Sequence, residues 1–140
     1  MSAFSVMLQV WNPAQPGEVE ELSAVVDLHS TFSWISRARL ERLGVSPSRK
    51  MRFRLKGEGI VERDVASVYI ALKNGPVGDL VVMAEAGEPE IMGAHTIDAL
   101  GMVVDPVQRK LVPTVMWALS SVGNAVPEIK DKDSRALARS

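Results

Sequence analysis

Asp27 is the residue whose setting most calls for chemistry. It ends the apolar run Ala24-Val25-Val26 and opens the stretch Leu28-His29-Ser30-Thr31-Phe32-Ser33, which is rich in hydroxyls. A carboxylate at the end of a buried strand is costly unless it is hydrogen-bonded or put to use. Two readings follow: an aspartate that caps a turn, and one that works as a general acid or base. Asp27, His29 and Ser30 also hold the residue types of a Ser-His-Asp hydrolase. Immediate neighbours cannot place the base between nucleophile and orienting carboxylate, and the chain has no Gly-x-Ser-x-Gly elbow. A third chemistry is metal binding through Asp27 and His29, with His95 as the second histidine of the chain.

The elements that must position Asp27 are short strands. Phe4, Val6, Leu8 and Val10 alternate with smaller or more polar residues, which predicts a strand over residues 4–10. Asn12-Pro13-Ala14-Gln15-Pro16-Gly17 is a turn cluster, and residues 19–27 return as a second strand that delivers Asp27. Ser36 is placed to N-cap a helix over 37–43, with Gly44 at its left-handed end and Pro47 beyond. Strands are expected over 51–55 and 61–65, joined by a hairpin tip at Gly57-Glu58-Gly59. Further strands are expected over 66–72 and 80–84, then Ile91-Met92-Gly93 ahead of a short helix over 94–100 closed by Gly101. Residues 102–104 and 110–119 form the last expected strands, around the Asp105-Pro106 turn. The two helical segments echo one another, since each follows an apolar strand and ends in Leu-Gly. That echo fits a small β-rich domain of two related halves.

In this order the segments resemble the retropepsin-like aspartic peptidases. Val26-Asp27, then Ser30, Ile35 and Leu43-Gly44, is similar to the family's strand that delivers Asp-Thr/Ser-Gly. Residues 51–65 resemble its flap, with Gly57, Glu58 and Gly59 at the tip. Ile91-Met92-Gly93-Ala94 resembles its second motif, two apolar residues and a glycine before a short helix. The similarity covers residues 4–119. It implies a mostly β, small closed barrel with a flap hairpin and two short helices. It implies a homodimer in which one Asp27 from each subunit meets at the two-fold axis, and the reaction it implies is peptide-bond hydrolysis by that pair. Both histidines are then expected on loops near the axis. The chain departs from the family at two positions, Leu28 for Thr/Ser and His29 for Gly. Leucine lacks the hydroxyl that bonds across the axis, and an imidazole needs space where the family has none. The resemblance therefore implies a peptide cleft whose catalysis is altered or lost. A peptide-binding or dimerisation module on the same fold is the alternative, and a metal-binding dimer using Asp27 and His29 a lesser one.

The composition sets the remaining bounds. The chain has 140 residues with 16 Lys/Arg against 17 Asp/Glu, a balance that argues against nucleic-acid or membrane-surface partners. No cysteine occurs, which excludes a disulfide framework, a thiol nucleophile and a thiolate metal site. No cofactor is expected, the metal set is expected to be empty, and a cytoplasmic address fits. Residues 36–64 hold nine Lys/Arg and four Asp/Glu, yet Arg52, Arg54 and Lys56 alternate with Phe53 and Leu55 as on a solvated strand face. Trp11, Trp34 and Trp117 read as core or interface anchors. Residues 1–123 are expected to form one domain, and the charged 124–140 a frayed tail.

Overall fold

Leu8 lies opposite Leu22, and Val6 opposite Ala24, where β1 (Ser5–Trp11) pairs antiparallel with β2 (Val19–Asp27). Leu8, Val10, Leu22, Ala24 and Val26 turn inward while their neighbours face out, the period-two pattern of a half-buried hairpin. The computed structural model describes residues 3–115. Trp117, the end of the expected 110–119 strand and the expected 124–140 tail lie outside them.

After β2 come β3 (Ser33–Ser36) and α1 (Arg37–Arg42), then β4 (Arg49–Leu55) and β5 (Gly59–Ala71) as a long hairpin, followed by β6 (Val77–Ala84). The described chain closes with β7 (Ile91–Gly93), α2 (Ala94–Ala99), β8 (Met102–Asp105) and β9 (Lys110–Pro113). The main sheet runs β1-β2-β7-β3-β6-β5-β4, and β1 also pairs with β5 through Gln9–Ala71, Val10–Ile70 and Trp11–Tyr69. That pairing closes six strands on themselves and leaves the β4 end of the hairpin projecting. The fold is mostly β with two short helices, as the sequence predicts.

Two elements differ from expectation. Residues 61–65 and 66–72 belong to one strand, β5. Val65 and Ala66 are both buried, which breaks the alternation where β5 ends its pairing with β4 and takes up β6. The other difference is β3, a strand where the sequence pattern predicts none. Ser33, Trp34 and Ile35 are all buried, so no alternation marks them as a strand.

The core gathers Leu8, Val10, Ile35, Leu40, Val68, Ile70, Met83, Met92 and Ile97 inside the ring. Helix α1 is capped as expected: the Ser36 hydroxyl accepts from Arg39 N, and Gly44 takes φ +75° just past the end. Its one fully buried side chain is Leu40, which plugs the barrel. Leu40→Ala is expected to cost about 2–5 kcal/mol, read as a lower denaturant midpoint at unchanged slope.

Candidate active site

Strand β7 runs between β2, to which it is parallel, and β3, to which it is antiparallel. The chain leaving β2 must therefore cross the end of β7 to reach β3. Residues 28–32 make that crossing, and Gly93 lies beneath it, paired with Asp27. A Cβ on Gly93 would lie 2.6 Å from the Phe32 carbonyl carbon and 2.8 Å from the Ser30 oxygen. Only glycine fits there. The first turn of α2 holds the loop from the other side: Ala94 N donates to Ser30 O (2.8 Å) and His95 N to Thr31 O (2.9 Å).

Asp27 is held by its own turn. His29 N donates to Asp27 Oδ1 (2.9 Å) and Ser30 N to Asp27 O (3.2 Å). The first bond comes from the main chain of His29 and makes no use of its ring. The His29 ring is fully exposed, with Nδ1 3.7 Å from Asp27 Oδ1. Leu28 is half exposed beside the carboxylate. The Ser30 hydroxyl donates to Phe32 O (2.6 Å) and tightens the crossing.

Asp27, His29 and Ser30 line a cleft of about 880 Å³ together with Met51–Leu55 of β4, Glu58 and the segment Gly87–Pro89. Gly57 (φ +85°) and Gly59 (φ +76°) make the hairpin tip beside it, as the sequence predicts. Ile91 lines the cleft, while Met92 is buried in the core. Phe53 meets Trp34 edge-on at 5.4 Å and Phe32 at 6.3 Å. This aromatic trio packs the hairpin, at the Phe53–Val61 pair, onto β3 and the crossing loop. Arg52 and Arg54 alternate with these apolar residues and are exposed, and both also border the cleft.

The opposite wall, residues 85–90, is pinned by three arginines. Arg37 pairs with Glu85, Arg39 with Glu90 and Arg63 with Glu88. The Arg63 hydrogen bonds hold the Glu88 carboxyl below its ordinary range, against burial. For Glu90, burial pushes the carboxyl up. The Arg39 guanidinium and the Ser36 N–H together outweigh that and leave it lowered.

His95 does not join His29. It lies in the first turn of α2, with Nδ1 2.8 Å from Asp79 Oδ1. Among the described residues, no group of three or more His, Asp or Glu side chains is arranged to hold a metal ion. Asp79, Thr96 and Ser33, a buried polar group behind the loop, escape sequence reading. Their only signal is one carboxylate within an otherwise apolar run, Val77–Ala84. No described helix is long and apolar enough to cross a membrane.

No protein-family model and no curated protein matches this sequence. Among solved structures, the chain is similar to the EIAV protease in complex with the inhibitor HBY-793, with a TM-score of 0.51 and 19% identity. The match covers 79% of this chain and 93% of that one. The fold is therefore that of a retroviral protease.

Two outcomes follow from this geometry. Gly93→Ala is expected to cost at least about 1–3 kcal/mol and to lower Tm, because the obstacle is backbone. The Glu88 and Glu90 carboxyls titrate below their ordinary 4.5 in the fold, so their contribution is full above that value and is lost as pH falls through the folded one. Tm should therefore drop on acidification, and the drop should be shallower in Glu88→Gln and Glu90→Gln, measured by thermal melts at a series of pH values.

Proposed function

We propose that this chain is one subunit of a retropepsin-like homodimer that binds an extended peptide beneath its hairpins, with Asp27 of each subunit at the two-fold axis. The observation that carries this reading is Asp27 itself. It ends β2 over Gly93 and lines a cleft under a glycine-tipped hairpin, in a fold shared with a retroviral protease.

The chemistry needs two carboxylates, and each chain brings one Asp27 to its cleft. A pair a few ångströms apart shares one proton, because both cannot ionise. The ionised member takes a proton from water, which attacks the peptide carbonyl carbon. The protonated member polarises the carbonyl oxygen. The tetrahedral adduct then collapses, the C–N bond breaks, and the nitrogen leaves with the proton taken from water, which restores the pair with its one shared proton. The main-chain bond to Asp27 Oδ1 survives at His29 and supports this assignment.

Leu28 favours a second reading, a dimer whose cleft binds peptide and does not cut. It offers no hydroxyl to lock the two loops, and its exposed apolar side chain suits contact with its own copy. The deciding experiment is hydrolysis of an unstructured protein mixture from about pH 3 to about pH 8, with wild type beside Asp27→Asn, after sedimentation has established a folded dimer. Slow cleavage by wild type, abolished in the variant, is the expected result. A folded dimer that cleaves nothing at any pH overturns the hydrolytic reading in favour of the peptide-binding one, and a monomer overturns both.

A further inference from the structure

We infer that Asp79 is a positioning residue for the Asp27 loop, acting through a hydrogen-bond relay of fixed direction that ends on the Gly93 N–H. The consequence for catalysis rests on the reading of Asp27 given above; the relay itself does not.

The Asp79 side chain is 1% exposed. A carboxylate buried that far needs donors, and it has three. Leu80 N (2.9 Å) and His95 Nδ1 (2.8 Å) lie on Oδ1, and Thr96 Oγ1 (2.5 Å) on Oδ2. A carboxylate only accepts, which assigns every proton in the cluster. Thr96 spends its proton on Asp79, so in the 2.5 Å contact with Ser33 it accepts and Ser33 donates. Ser33 then accepts from Gly93 N (2.9 Å), and a main-chain N–H has no other choice. The direction is consistent from both ends: Gly93 to Ser33 to Thr96 to Asp79. The same logic puts a proton on His95 Nδ1, the nitrogen that faces Asp79 on a half-exposed ring.

The relay joins the parts that seat Asp27. Ser33 belongs to β3, Thr96 and His95 to α2, and Gly93 ends β7 under the crossing loop. The turn of α2 that Asp79 grips is the one whose N–H groups hold Ser30 O and Thr31 O. The His95 ring also lies 6.0 Å from that of Phe32. Without Asp79 the two hydroxyls lose their common direction, and the chain of bonds that holds Ser33 Oγ in place against Gly93 N–H loses its anchor. The side chain of Asp79 thus acts on the loop without touching it.

Nitrogen-15 magnetic resonance of the imidazoles tests this in the wild-type protein at a pH where His95 is neutral. The expected signature is the Nδ1–H tautomer, and an Nε2–H tautomer overturns the inference without the need for any variant. Thr96→Val keeps the volume and removes the relay. It is expected to speed Gly93 amide exchange roughly tenfold and to shift the Leu28–Thr31 amides, while Thr96→Ser stays close to wild type. Unmoved Gly93 exchange and loop resonances in a folded Thr96→Val protein also overturn the inference. Where the wild type cleaves peptide, Thr96→Val should lower kcat with little change in KM. Where it does not, the Asp27 reading has failed and the resonance data still decide the relay.

Discussion

The crossing of two chain segments at Gly93 is the constraint on which this molecule depends. The link from β2 to β3 has to pass over β7, and it does so at backbone contact. Nothing larger than a hydrogen can stand between the strands. The crossing fixes the height of the loop above the sheet, and with it the carboxylate of Asp27. Everything nearby reinforces it: two α2 amides on the loop carbonyls, a serine hydroxyl on Phe32 O, and the Asp27 turn folded back on itself.

The two sides of the cleft are held by different physics. The 85–90 wall is fastened by arginine–carboxylate pairs to α1 and to β5. Such pairs are directional and weaken with acid and salt. The hairpin is fastened partway along β4 by Phe53 against Trp34 and Phe32, an apolar contact indifferent to both. Arg63 links the two systems, because it reaches from the hairpin strand β5 to Glu88 on the wall. The tip beyond Phe53 has glycines at both corners and open space around them. The cleft thus combines a rigid floor, an ionic wall and a hairpin anchored at one end only.

Much of this was legible in the sequence, for definite reasons. β2 and its terminal Asp27, the Gly57–Gly59 tip and both Leu-Gly helix ends rest on local signals: alternation, turn residues and caps. The unity of β5 was not legible, because its inward face changes partners at Val65–Ala66 and the pattern slips there. β3 was hidden by burial on both faces, where Ser33 points into a polar cluster that only the tertiary fold assembles. Asp79 was passed over for the same reason. Its meaning comes from Thr96 and His95, 17 and 16 residues away. His95 falls in the first turn of the expected 94–100 helix, but that it meets Asp79 and not His29 is set by the tertiary fold.

Closure of the barrel by β1 against β5 has a consequence in time. Gln9 to Trp11 meet Tyr69 to Ala71 across about half of the described chain. The β1–β2 hairpin can form early, from residues close in sequence, but its second edge has no partner until β5 exists. On a ribosome, that edge waits bare while sixty residues more are made. The search for so distant a partner sets a slow folding step, during which an open strand edge invites pairing with other chains. The seam that completes the ring is therefore also the place where crowding and chaperones would be felt first.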